Sequence, residues 1–145
     1  MPDDVAVPLL LDTHVWIWVM EGRAHEVPTR VLEEVERAQA DGRVWVSAIS
    51  IWEVGMLEAK GRLTFSRGIR DWVRRALGVP GVRMAELSPE VALDSSALPG
   101  TVHGDPADRI LIATARHLGA KLVTRDRSII NYGEQGLLAV LDATP

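Results

Sequence analysis

The chain has 145 residues, 47% hydrophobic and 25% charged, which suits one globular core and excludes a disordered chain. A formal charge of −4 excludes a generally basic nucleic-acid binder while leaving room for a local basic face. Cysteine is absent, which excludes disulfides, iron–sulfur clusters and thiolate zinc sites and fits a reducing cytoplasm.

Residues 5–20 are apolar enough to raise an export signal or a membrane span. Asp3 and Asp4 stand where a basic leader would, however, and Asp12 and His14 interrupt the run. The stretch therefore reads as a strand at 7–11, buried on both faces and ended by Asp12 and Thr13, running into a helix at 15–20 that stops near Gly22. The expectation is a soluble, cytoplasmic protein with one domain over residues 1–145. Residues 28–40 form an amphipathic helix with Val31, Leu32 and Val35 on one face, closed by Asp41-Gly42. A second strand is expected at 44–49, with Ser50 as cap for a helix that ends at Gly61. Residues 66–77 read as a helix carrying Arg67, Arg70, Arg74 and Arg75, followed by a turn at 78–81 and a third strand at 82–87. Ser88-Pro89-Glu90 opens another helix in the capped style. A loop at 98–104 delivers the chain to a helix at 105–118, which Gly119 ends. A strand at 121–124, a short helical turn at 126–131 and a last strand at 137–141 complete the chain. Strands alternating with helices predict an α/β layered fold with a mostly parallel sheet.

Acids recur where this scheme carries them to one edge of the sheet. Asp12 and Asp126 lie just past the carboxyl ends of strands, where open parallel sheets bind ligands. Glu53 falls in what reads as the first turn of a helix that follows a strand. Asp105 suits an N-cap, Pro106 the first helical position, and Asp108 the first turn. Clustered carboxylates repel one another and raise each other's pKa unless a cation neutralises them. An oxygen-rich ligand set without cysteine suits Mg²⁺ or Mn²⁺, the ions of phosphodiester cleavage.

Four stretches then resemble a known family. Leu9-Leu10-Leu11-Asp12-Thr13-His14-Val15-Trp16, Ser47-Ala48-Ile49-Ser50-Ile51-Trp52-Glu53, Asp105-Pro106-Ala107-Asp108-Arg109-Ile110-Leu111-Ile112-Ala113-Thr114-Ala115 and Leu122-Val123-Thr124-Arg125-Asp126 are similar, in order, to the motifs of PIN-domain ribonucleases. More narrowly they resemble VapC-type toxins of bacterial toxin–antitoxin pairs. The resemblance implies a three-layer α/β/α fold with a central sheet of about five strands. It also implies Mg²⁺- or Mn²⁺-dependent endonuclease action on RNA, a homodimer, and a cognate antitoxin that blocks the site. By motif position Asp12, Glu53, Asp108 and Asp126 are the catalytic and metal-binding quartet. Asp105 is either a further ligand or a cap and outer-shell carboxylate, and Thr13 and Thr124 match the small hydroxyl residues beside the acids.

Each of these residues has a plainer reading. Asp12, Asp105 and Asp126 can each cap a helix, and Glu53 can be a solvated helix residue. His14 and His103 read as structural or exposed. Trp16, Trp18, Trp45, Trp52 and Trp72 read as core or partner interface rather than base-stacking platforms. The arginines at 67–75 form either a solvated face or a grip on an RNA backbone. Among other functions, a haloacid-dehalogenase-type phosphotransferase needs a second Asp where His14 stands. A dinucleotide site needs a glycine-rich turn that Asp12-Thr13-His14-Val15 does not supply. Two alternatives stay open: a PIN-fold module that binds RNA or protein without cutting, and a DNA-directed nuclease with the same metal chemistry.

Overall fold

The computed structural model describes residues 6–102 and 104–145. Asp3, Asp4 and His103, which entered the sequence reading, lie outside them. The chain order is β1 (Leu9–Leu11), α1 (Thr13–Met20), a single 3₁₀ turn (Ala24–Glu26), α2 (Thr29–Ala40), β2 (Val44–Ser47), α3 (Ala48–Ala59) and α4 (Ile69–Leu77). It continues with β3 (Val82–Ala85), α5 (Pro89–Ser96), α6 (Pro106–Leu118), β4 (Lys121–Thr124), α7 (Arg127–Glu134) and β5 (Val140–Asp142).

All five strands are parallel, in the order β3-β2-β1-β4-β5. Parallel neighbours need crossovers, and the helices between them cover both faces. Alternation along β1 splits the core in two. Leu9 and Leu11 pack on one side with Val15 and Trp16 of α1, Val31 and Val35 of α2, Val54 of α3 and Ala76 of α4. Leu10 packs on the other with Leu111, Ile112 and Ala115 of α6 and Ile129 and Tyr132 of α7. The result is the expected three-layer α/β/α arrangement, with a sheet that is wholly rather than mostly parallel. Among the described residues no helix is long and apolar enough to cross a membrane.

The strand order reverses at β1. The chain lays β2 and β3 outward on one side, then returns to place β4 and β5 on the other. Leu11 lies level with Val46 of β2 and Val123 of β4. Asp12, Ser47 and Thr124 are therefore neighbours at the carboxyl edge, where a crevice opens at a switch point.

Several boundaries differ from expectation for local reasons. The helix expected from 66 starts at Ile69, because Gly68 has φ +85°, which no helical residue adopts. β3 stops at Ala85 rather than 87, since its one partner, β2, ends at Ser47 opposite it. Residues 126–131, expected as a short turn, extend into the full helix α7, with Asp126 as N-cap. The last strand begins at Val140 instead of 137. Leu137 and Leu138 pack against the second core from a loop, with the Leu137 carbonyl taken by the Arg116 guanidinium.

Candidate metal centre

Asp12 follows β1 and caps α1. Its Oδ1 accepts from the Thr13 amide at 2.7 Å and its Oδ2 from the Thr124 hydroxyl at 2.6 Å. Thr124 ends β4 and is fully buried, and its Oγ1 in turn accepts from the Asp126 amide at 3.0 Å. Asp126 caps α7, taking the Ile129 amide at 3.2 Å. The two strands flanking the switch point are thus joined through Asp12–Thr124–Asp126. Burial pushes the Asp12 carboxyl up from its ordinary value, against the pull of the hydrogen bonds from Thr124 and Thr13.

The second motif is placed differently from expectation. Ser47, not Ser50, is the N-cap of α3, accepting from the Ile49 amide at 3.1 Å. The strand gives way to the helix earlier than the apolar run suggests, because Ala48 and Ile49 continue the hydrophobic pattern as helical residues. This earlier start moves Glu53 from the first turn into the second. It also sets Ser50 and Glu53 three residues apart on one helix face. Both meet Thr13: the Thr13 hydroxyl donates to Glu53 Oε1 at 2.5 Å and lies 2.8 Å from Ser50 Oγ. Since Thr13 has one proton and gives it to Glu53, Ser50 is the donor to Thr13. Burial is the first cause of a raised Glu53 pKa, and the charges of Asp12 and Asp105 add to it.

The third motif opens α6. Asp105 is exposed and caps the helix, its Oδ1 accepting from the Ala107 amide at 2.9 Å and the Asp108 amide at 3.2 Å. Pro106 takes the first helical position, and Gly119 closes the helix at φ +64° in the left-handed region. Asp108 is half-buried in the first turn. Its pKa is pushed up to about 7, first by burial, then by the charges of Asp105, Asp126, Asp12 and Glu53. The five acids from four separate segments therefore share one field. Asp105, Asp108 and Asp126 all lie at helix starts, where the dipole favours anions.

Among the described residues, no three acidic or imidazole side chains are gathered closely enough to hold an ion as they stand. The acids other than Asp108 are engaged with protein donors: Asp12 and Glu53 with threonine hydroxyls, Asp105 and Asp126 with helix amides. The donors are carboxylate and hydroxyl oxygens only, a set that fits a small hard divalent cation. His14, by contrast, is exposed, its ring 5.7 Å from that of Trp18.

Two contributors escaped the sequence reading. Ser50 is fully buried behind Thr13, and the spacing of three from Glu53 was the available signal. Arg125, between Thr124 and Asp126, lies over the Trp18 ring at 4.4 Å and donates to the Glu26 carbonyl at 3.1 Å, tying the β4–α7 loop to the far end of α1. No signal in the sequence joins Arg125 to residues a hundred positions earlier. Of the tryptophans, Trp16 is in the core while Trp52 is 58% exposed on α3.

Comparison with known proteins gives consistent results. A family model described as PIN domain matches residues 9–135. Ribonuclease VapC22 from Mycobacterium tuberculosis (strain ATCC 25618 / H37Rv) is 32% identical over 124 residues, covering 86% of this chain and 91% of that protein. A chain in the crystal structure of VapBC2 from Rickettsia felis, bound to a DNA fragment from its promoter, superposes with a TM-score of 0.67 at 14% identity. The match covers 94% of this chain and 98% of that one. A chain in DNA-bound VapBC from Salmonella typhimurium gives 0.62 at 17% identity, covering 94% and 98%. These two structural likenesses speak to the fold alone.

Proposed function

The chain belongs to the PIN-domain family, and from that premise we propose that it is a metal-dependent endoribonuclease, the toxin of a toxin–antitoxin pair. The observation that carries the reading is the meeting of Asp12, Glu53, Asp105, Asp108 and Asp126 in one field at the sheet's switch point. A structural cap needs one carboxylate; a mutually repelling set is costly unless a cation is to be held. The ribonuclease relative supports the choice of RNA as substrate, and the choice of an antitoxin as partner rests on the resemblance of the four motifs to VapC-type toxins, whose fold the chains of the VapBC structures share. A homodimer working in the cytoplasm is part of the same reading.

Asp12, Glu53, Asp108 and Asp126 would hold Mg²⁺ or Mn²⁺, with Asp105 as cap and outer carboxylate. A divalent ion there supplies charge to a scissile phosphodiester and lowers the pKa of an attacking water. The chain's own work is to aim the oxygens. Thr124 fixes one Asp12 oxygen and the Thr13 amide fixes the other. The Thr13 hydroxyl, itself held by Ser50, fixes Glu53. Half-burial of Asp108 limits the water that would otherwise screen its charge.

Cleavage of a mixed RNA pool by the purified, antitoxin-free protein with Mg²⁺, with Mn²⁺ and with chelator tests this directly. Cuts that need metal and vanish in Asp12→Asn are the expected result. The variant should keep its fold, because an asparagine carbonyl can still accept from the Thr13 amide while the repulsion is relieved. Cutting of DNA in place of RNA would reassign the substrate. Absence of any cleavage by the folded protein would leave a PIN-fold binding module.

A further inference from the structure

α4 sorts its residues by chemistry. Ile69 and Trp72 pack into the core, the Trp72 ring 4.9 Å from both Trp16 and Phe65, and Ala76 is buried. The other side carries Arg70, Arg74 and Arg75, all exposed, and the segment before the helix adds exposed Lys60, Arg62 and Arg67. Asp71 answers Arg74 at 3.2 Å and Arg75 at 3.6 Å. Among the described residues, Lys60, Arg62, Arg67 and Arg70 make no ion pair.

The concentration of charge is unusual for this chain. Residues 60–75 hold six of its 16 basic side chains and one of its 20 acidic ones, a net of +5 within a protein of −4. The remainder therefore carries −9. A polyanion is repelled by that remainder, and most of all by the five clustered carboxylates; this face is where it would be attracted. The face is separated from the acids by the width of one helix, about 10 Å. A Cβ on Gly55 would stand 4.0 Å from Ile69 Cδ1, so the start of α4 packs against α3 at the level of Glu53 but on the side of the helix turned away from it.

We propose that this arginine face holds the phosphate backbone of single-stranded RNA whose scissile bond lies at the acids. The choice of RNA rests on the nuclease reading. Guanidinium forks pair with phosphate oxygens two at a time. Arg70 and Arg74 are one turn apart, about 6 Å along the helix axis, a repeat that successive phosphates of an extended strand can follow. Such contacts carry no sequence information. They supply affinity and on-rate, and their mark is a steep dependence on salt.

The test is binding of a labelled, mixed-sequence 20-nucleotide RNA in EDTA, so that no cleavage enters, across a range of salt. Arg62→Gln/Arg67→Gln/Arg70→Gln removes three unpaired surface charges and leaves Asp71 with its partners. The plot of log K against log salt should become shallower by about 2, at roughly 0.7 per phosphate contact on a single strand. Arg62→Lys/Arg67→Lys/Arg70→Lys should keep most of the wild-type slope. Equal slopes and affinities for wild type and the glutamine variant, with both folded by circular dichroism, would overturn the proposal. So would a glutamine variant that binds RNA normally but loses affinity for a 20-residue polyglutamate, which would assign the face to an acidic protein. Loss of RNA binding in that variant, from a wild type that cuts no RNA with Mn²⁺, would keep the binding face and remove the nuclease reading.

Discussion

The Thr13 hydroxyl carries one proton and stands between two oxygens, Glu53 Oε1 at 2.5 Å and Ser50 Oγ at 2.8 Å. Its direction decides how Glu53 is held, and Ser50, buried behind it, fixes that direction by filling its lone pair. Thr13→Val removes the donor from a half-buried carboxylate; Ser50→Ala removes only the restraint on that donor. The valine variant should therefore be the worse of the two. If Glu53 is a metal ligand, Ser50→Ala should weaken Mn²⁺ binding by about 10-fold, the low end of what outer-shell losses cost. It should lower stability by roughly 1 kcal/mol, as for one ordinary hydrogen bond. Calorimetric Mn²⁺ titration with thermal melts separates the two effects, and unchanged Mn²⁺ affinity in both variants would remove Glu53 from the ligand set. At this scale the acids were legible because carboxylates ending apolar segments stand out against their neighbours. Ser50 was not, because placing the helix start three residues late turned an inward-facing hydroxyl into a cap.

At the level of elements, the turn that feeds β3 shows how much one glycine can fix. Gly81 has φ +89°, and a Cβ there would lie 1.9 Å from the Gln39 carbonyl oxygen at the end of α2. The same residue's carbonyl accepts from the Val44 amide at 3.3 Å, joining β2 to the start of its edge partner. Gly22 has a similar φ, +69°, but nothing within 4 Å of its missing Cβ. Gly22→Ala should thus cost about 1 kcal/mol for the left-handed backbone alone. Gly81→Ala should cost a further 1–3 kcal/mol, roughly, since backbone must move as in overpacking. Denaturant unfolding of the two variants checks the difference, and equal losses would mean the α2–β3 approach is loose. The sequence showed both glycines as turn formers and could not tell them apart, because the clash is with a residue 42 positions away. Element type was readable throughout from periodicity and the helix caps. Boundaries were not where tertiary pairing sets them: β3 ends because β2 does, and Leu137 and Leu138 are as apolar as strand residues yet fill the core from a loop.

Across the whole molecule, the fold is held against the repulsion of its own site. Asp108 titrates near 7 when folded and at an ordinary 3.8 when unfolded, so between those values the folded state binds the extra proton. The penalty for its charge is fully present above pH 7, is relieved as pH falls through 7, and is gone below 3.8. Asp12 and Glu53 are raised too and act in the same sense, whereas Asp142, lowered by its hydrogen bonds to Thr144, opposes them only at lower pH. In EDTA the protein should therefore melt at a higher temperature at pH 5.5 than at pH 8, and Asp108→Asn should flatten that slope. A cation held by the same carboxylates reverses the order, because protons compete with it at pH 5.5 and not at pH 8. At a hundred times its Kd a ligand of the folded state adds about 2.7 kcal/mol, and at roughly 2–4 °C per kcal/mol for a domain of this size millimolar Mn²⁺ should raise the melting point visibly at pH 8. The four curves, with and without Mn²⁺ for wild type and Asp108→Asn, separate the claims. A pH slope without a Mn²⁺ shift leaves a repelling cluster that holds no ion. A Mn²⁺ shift left undiminished in Asp108→Asn places the ion elsewhere. Only a slope that becomes shallower together with a shift that shrinks makes the acids at the switch point one metal-binding unit.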